Sequence, residues 1–234
     1  MSTMISIIIP TKNEEKYLPK LLESLKQQTY QDFEVIVADA TSADKTVEIA
    51  QKFGAKVVFG GLPAVGRNNG AKIARGEILF FLDSDVIFAS NYLQDSVKEF
   101  NDKGLVLATS IIEPINSSFI SRILHNFTNI FLKISKYLRP ATPGHCIIVS
   151  KQIFEKAGGF AENVKVLEDL EFAARASKFG KFAVLKSVPI RTSDRRMKRD
   201  GWLITSARSF LLIIYSLIFG FSSKNLFNYQ FKDY

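Results

Sequence analysis

The chain has 234 residues, enough for one large α/β domain or one domain with a C-terminal appendage. Its 47% hydrophobic and 23% charged residues exclude general disorder, and its single cysteine and two histidines exclude an intramolecular disulfide and a typical zinc site. The net charge of +8 favours polyanionic partners such as nucleotide phosphates, an anionic membrane surface or nucleic acid.

Strands and helices alternate along the first third of the chain. Continuous apolar runs predict strands, and apolar residues at helical spacing between them predict helices. The predicted strands cover residues 4–10, 33–38, 56–59 and 78–82, and the last helix among them covers residues 65–75. This alternation is typical of a mostly parallel α/β sheet flanked by helices. Because no signal-peptide pattern precedes the first strand, the default expectation is a cytoplasmic protein.

The alternation loosens beyond residue 85. Helices are predicted over residues 91–100, 151–157 and 168–179, and strands over residues 105–111 and 145–149. We expect one domain over residues 1–190 and an appendage over residues 191–234 that consists of a basic loop and an apolar helix.

Two segments, residues 117–139 and 203–221, are rich in bulky apolar side chains, with basic residues within or beside them. Arg208 interrupts the second and leaves 13 apolar or small residues in a row, whereas a membrane-spanning helix needs about 20. We therefore expect both to lie at a membrane interface and to attach the protein peripherally to a cytoplasmic leaflet. A homodimer interface formed by the same helices is the alternative.

Two carboxylates, Asp83 and Asp85, directly follow the apolar strand at residues 78–82. In open α/β sheets, ligands bind just beyond the carboxyl ends of the strands. Mg²⁺ or Mn²⁺ would compensate the two charges there, because these ions take one or two carboxylates together with substrate phosphates. The alternative is that one aspartate caps the next helix.

Several motifs in chain order resemble the family 2 glycosyltransferases of the GT-A fold, over about residues 4–190. They are Pro10-Thr11-Lys12-Asn13-Glu14, Asp39, Arg67-Asn68, Asp83-Ser84-Asp85 and Glu168-Asp169. The resemblance implies that a sugar moves from a UDP- or GDP-sugar to a hydroxyl or phosphate acceptor, with inversion and divalent-metal assistance. The two interfacial segments add the expectation of a lipid-linked acceptor.

The resemblance places the donor nucleoside at the ends of the first two strands. Pro10, Lys12 and Glu14 would surround the base and ribose, and Asp39 would accept a hydrogen bond from a base N–H or a ribose hydroxyl. The alternatives are helix-dipole compensation by Glu14 and a turn role for Asp39. The family usually has an acid and a glycine directly after this aspartate; alanine and threonine stand there in this chain, which leaves the base preference open.

The diphosphate and the metal are assigned to charged side chains. Arg67 would reach the diphosphate with paired guanidinium donors, a surface salt bridge being the alternative. The resemblance makes Asp85 the ligand that bridges the metal to the diphosphate, and gives Asp83 the ribose or a second metal position. Arg195 and Arg196 correspond to a mobile loop that closes over the diphosphate; solvated or membrane-facing charge is the alternative.

The acceptor side involves the acidic pair near residue 168. The resemblance makes Asp169 the general base, with Glu168 beside it, because displacement at the anomeric carbon needs a base opposite the leaving group. The alternatives are an acidic pair favoured at a helix N-terminus and, with a phosphate acceptor, a positioning role. His145 would border the acceptor, although a lone histidine is often structural.

Three other functions are alternatives to glycosyl transfer. Nucleic-acid binding is disfavoured because no helix-turn-helix, zinc finger or aromatic platform accompanies the basic cluster. A sugar-nucleotide pyrophosphorylase would need a glycine-rich phosphate loop after the first strand, and residues 10–14 do not supply one. A catalytically inactive membrane-binding protein that retains the transferase fold remains open.

Overall fold

The computed structural model describes residues 3–115 and 118–201 and, beyond them, only residues 204–205, 208, 211–212, 215–216 and 220–221. Most of the apolar segment at residues 203–221 therefore lies outside the described residues, and its association with a membrane stays a prediction. Within the described ranges, no helix is long and apolar enough to cross a bilayer.

One sheet of eight strands runs through the described part of the chain, in the order β3-β2-β1-β4-β7-β6-β8-β5. The strands are β1 (Ile5–Thr11), β2 (Phe33–Asp39), β3 (Lys56–Phe59), β4 (Ile78–Leu82), β5 (Val86–Ile87), β6 (Leu105–Pro114), β7 (Cys146–Ser150) and β8 (Lys181–Thr192). The α-helices are α1 (Leu18–Lys26), α2 (Thr46–Phe53), α3 (Pro63–Ile73), α4 (Tyr92–Asp102), α5 (Phe119–Leu138), α6 (Lys151–Lys156), α7 (Glu168–Ala176) and α8 (Arg195–Asp200), and a 3₁₀ turn covers Ser177–Phe179.

The α/β class is confirmed, and the sheet is mixed, with two of its eight strands reversed. β1 pairs in parallel with β2 and β4, and β2 with β3, as the alternating pattern predicts. β7 runs antiparallel to β4 and β6, and β5 runs antiparallel to β8. β6 pairs in parallel with β8, and both run in the direction of β4, so six of the eight strands share one direction. The expectation of a mostly parallel sheet is therefore correct for these six strands and wrong for β5 and β7; β7 is reversed because the chain re-enters the sheet after α5 in the opposite direction.

β1 and β4 lie in the middle of the sheet with both faces covered. Ile7 and Phe80 belong to one core layer and their neighbours Ile8 and Phe81 to the other, and all are fully buried. Helices α1, α2 and α4 contribute to the first layer, and α3, α6 and α7 to the second. This packing holds the strand ends, and the polar side chains that follow them, on a rigid edge.

Gly70 lies where α3 crosses β1. A Cβ built there would stand 2.4 Å from Cγ2 of Ile8, closer than any normal contact. Gly70→Ala is therefore expected to lower the free energy of unfolding by about 1–3 kcal/mol through overpacking, although alanine favours helix more than glycine does. Urea unfolding measures the change, with Lys72→Ala on the exposed side of the same helix as the control. Equal stability of the two variants would show that α3 shifts without strain.

Candidate active site

The ends of the central strands bring polar side chains together at one edge of the sheet. β1 and β2 end in register, with Thr11 opposite Asp39. β4 lies beside β1 and is followed directly by Asp83 and Asp85. Because β7 is antiparallel to β4, it begins at the same edge, and His145 immediately precedes it.

Asp39 and Lys12 hold the loop after β2. The Asp39 carboxylate accepts hydrogen bonds from Oγ1 of Thr11 at 3.1 Å and from the backbone N and Oγ of Ser42 at 2.8 and 2.6 Å. Nζ of Lys12 donates to the two backbone carbonyls that follow Asp39, at 2.6 and 2.8 Å. The turn role weighed for Asp39 is therefore present in this structure. Pro10 is buried within β1.

Arg67 is a buried cation between two acids. It is 3% exposed on α3. Its Nη1 donates to Oε1 of Glu168 at 2.7 Å, and its Nη2 lies 3.6 Å from Oδ1 of Asp83. Its guanidinium carbon lies 5.2 Å from the ring centre of Phe160. The alternative interpretation of Arg67 as a surface salt bridge is therefore wrong, because its ion pair with Glu168 is buried.

Asp169 lies next to this cation at the start of α7. A Cβ built on Gly144 would stand 2.8 Å from Nη2 of Arg67 and 3.4 Å from Oδ2 of Asp169, so a glycine is needed between them. Leu167 has a φ of +64°, a conformation that is costly for a bulky residue and is found most often at functional sites. Burial, followed by the Glu168 carboxylate, raises the pKa of Asp169 to about 7, while Arg67 opposes the shift. Asp169 can therefore gain or lose a proton near neutral pH.

His145 is a neutral imidazole at the same edge. Burial lowers the pKa of His145 to about 4, while the Asp83 carboxylate opposes the shift. Its Nε2 is buried and has no hydrogen-bond partner within the described ranges. A substrate group placed there could therefore bond to it.

A second cation, Arg195, joins Asp85 to Glu14. Its Nε lies 3.0 Å from Oδ2 of Asp85, its Nη1 donates to Oε2 of Glu14 at 2.7 Å, and its guanidinium lies 4.3 Å from the ring centre of Tyr17. Glu14 is buried and lies ahead of α1, so its charge is compensated by Arg195 rather than by the helix dipole. The side chain of Arg196 lies outside the described residues.

The sequence analysis assigned no role to several residues that shape the site. Tyr17 covers Arg195, and Gly144 makes room for Arg67. The Asn68 side chain accepts from the backbone N of Phe160 and donates to its O, both at 2.9 Å, and so fixes the ring beneath Arg67. The glycines beside His145 and Phe160 are the sequence signals that could have marked these close contacts.

Asp83 and Asp85 fit a divalent cation that binds together with a nucleotide. Both offer carboxylate oxygens, the donors that Mg²⁺ and Mn²⁺ prefer, and their side chains are 25% and 15% exposed. Within the described part of the chain, no group of three His, Cys, Asp or Glu side chains is arranged to hold a metal. Two carboxylates leave the other coordination positions to water and phosphate oxygens, as is usual for Mg²⁺.

Comparison with known proteins identifies relatives. Residues 6–158 match the family model described as Glycosyl transferase family 2. An uncharacterized glycosyltransferase of Haemophilus influenzae is 32% identical in an alignment of 190 residues that covers 72% of this chain and 60% of that protein. The chain therefore spans less than two thirds of that relative's length.

Solved structures share the fold. Staphylococcus aureus TarS 1–349 in complex with UDP-GlcNAc is 25% identical, with a TM-score of 0.66 over 81% of this chain and 58% of that one. The mannosyltransferase PcManGT of Pyrobaculum calidifontis, in complex with GDP-Man and Mn²⁺, has a TM-score of 0.70 over 82% of this chain and 57% of that one, at 21% identity. With a family model that matches more than half of its length, the protein belongs to glycosyltransferase family 2 and has the GT-A fold.

Proposed function

We propose that the protein is an inverting, metal-assisted glycosyltransferase that moves a sugar from a UDP- or GDP-sugar to a hydroxyl or phosphate group of a lipid-linked acceptor. The observation that carries this proposal is that one buried cation, Arg67, lies 3.6 Å from Oδ1 of Asp83 and close enough to Asp169 to oppose the rise of its pKa. A carboxylate with a pKa of about 7 thereby lies beside the acidic motif that follows β4. The UDP-GlcNAc and GDP-Man bound by the two structural relatives support a nucleoside-diphosphate sugar as donor.

Asp169 would take the proton from the acceptor hydroxyl while the acceptor oxygen attacks the anomeric carbon. A pKa near 7 suits a base that works near neutral pH. Attack from the side opposite the diphosphate inverts this carbon. Glu168 would act through Arg67, whose guanidinium it orients, and neutral His145 would hydrogen-bond to the acceptor. With a phosphate acceptor, which needs no base, Asp169 would position the reacting groups instead.

The donor nucleoside would lie across the ends of β1 and β2. Pro10, Lys12 and Glu14 would line the base and ribose on one side, and Asp39 on the other. Asp39 already accepts three hydrogen bonds in its loop, so a contact with a base N–H or ribose hydroxyl would use the one remaining lone pair of the carboxylate, on Oδ2.

The diphosphate would lie between the two cations of the site. Arg67 and the residues Arg195 and Arg196, which begin helix α8 rather than lie in the expected loop, would contribute positive charge, and Asp83 and Asp85 would hold Mg²⁺ or Mn²⁺. The ion, when bound, neutralises the charge that develops on the leaving nucleoside diphosphate. Arg195 would have to leave Asp85 for that carboxylate to bind the ion, because its Nε lies 3.0 Å from Asp85 in this structure.

Isothermal titration with UDP and with GDP, each with and without Mn²⁺, tests the donor site. We expect one nucleotide to bind in a Mn²⁺-dependent manner and Asp85→Ala to weaken that binding by at least about 10–100-fold, the loss seen even for changes around a metal's direct ligands. The nucleotide that binds identifies the base of the donor.

Asp102→Ala, at the exposed end of α4, is the matched control and is expected to bind like the wild type. If the folded protein binds neither nucleotide in the presence of lipid, the inactive membrane-binding alternative is favoured instead.

A further inference from the structure

Helix α5 turns polar side chains inward and large apolar side chains outward. Ser121, His125 and Ser135 are at most 5% exposed, and among the side chains of this helix that the structure describes, one large apolar side chain, Leu132, is buried with them. The outward residues are Phe119, Ile120, Ile123, Phe127, Ile130, Phe131, Ile134 and Tyr137, which are 37–82% exposed. An ordinary surface helix has the opposite arrangement.

Hydrogen bonds fix α5 in this orientation. The side-chain amide of Asn129 accepts from the backbone N of Ile112 at 2.9 Å and donates to its O at 2.8 Å. Nε2 of His125 lies 3.0 Å from Oγ1 of Thr192 at the end of β8. Since these inward polar groups are paired, rotating the helix to bury its apolar side would leave them without partners. The outward apolar face is therefore a binding surface rather than a misplaced core face.

A cavity of about 770 Å³ opens beside the C-terminal half of α5. Six lysines and no acidic residue line it: Lys103, Lys133, Lys136, Lys178, Lys181 and Lys186. Lys103 pairs with Glu99, whereas the other lysines of the cavity form no ion pair with a residue that the structure describes. The rings of Tyr137 and Phe182 form part of the cavity's lining and are largely apolar. The apolar face of α5 thus borders a strongly cationic pocket.

We infer that α5 and this six-lysine cavity form a docking surface for an anionic lipid leaflet. Apolar side chains of an interfacial helix enter the boundary between headgroups and acyl chains, and lysines beside it meet lipid phosphates. A second copy of the chain fits less well, because a symmetric contact over this surface would bring two sets of these lysines together. The surface binds lipid whether or not the protein transfers sugar.

The N-terminal end of α5 reaches the candidate active site, whereas the six-lysine cavity lies at the starts of β6 and β8, near the opposite edge of the sheet. The backbone N of Ile115, shortly before α5, donates to O of Thr192, and Arg195 follows Thr192 on the next helix. Docking through α5 would therefore hold the strand ends near the headgroups, where a lipid-linked acceptor presents its reactive group; this consequence alone rests on the proposed function.

Vesicle co-sedimentation of the full chain tests the inference, with phosphatidylglycerol-containing vesicles compared with pure phosphatidylcholine. The triple variant Phe127→Gln, Ile130→Gln, Ile134→Gln removes apolar area, and the triple variant Lys133→Gln, Lys136→Gln, Lys178→Gln removes charge. Each is expected to lower the partition coefficient on anionic vesicles at least about tenfold, and the lysine effect should shrink in high salt.

Matched controls lie elsewhere on the surface. Phe59→Gln, Leu62→Gln, Ile73→Gln changes exposed apolar residues in β3, just before α3 and in α3, and Lys16→Gln, Lys20→Gln, Lys26→Gln changes exposed lysines in and just before α1. Both controls are expected to sediment with vesicles like the wild type. Unchanged nucleotide titration in the two docking-surface variants would separate lipid docking from the donor site.

Equal partition of the wild type between anionic and neutral vesicles, or no binding to either, overturns the inference without any variant. Anionic-vesicle binding that survives both triple substitutions also overturns it. So does a concentration-dependent dimer in analytical ultracentrifugation that the apolar substitutions dissociate, since the face would then belong to a second copy.

Discussion

Replacing Asp169 by asparagine is expected to lower kcat for transfer to a hydroxyl acceptor by about 10²–10⁴-fold, the usual contribution of a general base. Asparagine keeps the shape of the side chain and can still accept from the backbone N of Leu170, which lies 2.8 Å from Oδ1. It cannot take the acceptor's proton. Nucleotide affinity is expected to stay close to that of the wild type, because the base acts on the acceptor rather than on the donor.

Asp102→Asn, whose side chain is 60% exposed, is the matched control and should transfer sugar at the wild-type rate. Wild-type turnover in Asp169→Asn would exclude the base role. If Asp169→Asn loses nucleotide binding as well as turnover, Asp169 belongs to the donor site instead.

The pH dependence of kcat gives an independent check of the same residue. Burial and the neighbouring Glu168 raise the pKa of Asp169 to about 7, and only its deprotonated form can accept a proton. The rate is therefore expected to rise as the pH increases through about 7, and Asp169→Asn should lack this rise. A wild-type rate that is flat from pH 5 to 8 would contradict it.

The same pKa shift has the opposite effect on stability. The ordinary pKa of this carboxyl group is 3.8, and in the folded protein it is about 7. Between these two values the folded state binds more protons than the unfolded chain, so stability falls as the pH rises through this window and stays reduced above it. Asp169→Asn is therefore expected to raise the melting temperature at pH 8 and to change it little at pH 4. A cooperative melting transition close to that of the wild type at pH 4 would also show that the variant is folded.

The first half of the fold could be read from the sequence because its strands are buried on both faces. The continuous apolar run of β4 and the acidic residues after it are local features, and they predict both a central strand and polar groups at its end. The direction of β7 is not a local feature, since Cys146–Ser150 would be equally apolar in a parallel strand. β8 escaped prediction because Lys186 and Pro189 interrupt its apolar pattern.

The site could be predicted only as separate motifs. Arg67 meets Glu168 across 101 residues of chain, and Arg195 meets Glu14 across 181 residues. Such ion pairs depend on which strands become neighbours, and no local pattern encodes that. In the same way, the amphipathic pattern of residues 117–139 predicts an apolar stripe but does not tell which side of α5 faces the sheet.

Arg67→Met is expected to lower the free energy of unfolding by about 3–5 kcal/mol, because removing one partner leaves a buried charge uncompensated. Methionine replaces much of the volume but none of the charge, so Glu168 and Asp83 would lose the cation that lies 2.7 and 3.6 Å from them. Nucleotide binding is expected to be lost as well, because two uncompensated acids would repel a diphosphate. Urea unfolding and titration with the nucleotide that the wild type binds measure the two effects.

Two further variants separate charge from packing. Arg75→Met removes an arginine that is 65% exposed and paired with Glu34, a change expected to cost less than about 1 kcal/mol. Arg67→Met combined with Glu168→Gln should recover much of the stability lost by Arg67→Met alone, because the buried carboxylate is gone with its partner. It should not recover nucleotide binding, because Asp83 remains without the Arg67 cation. Arg67→Met could instead lower the free energy of unfolding no more than Arg75→Met does. In that case packing, rather than Arg67, stabilises the acids at the start of α7, and the role of Arg67 is limited to ligand binding.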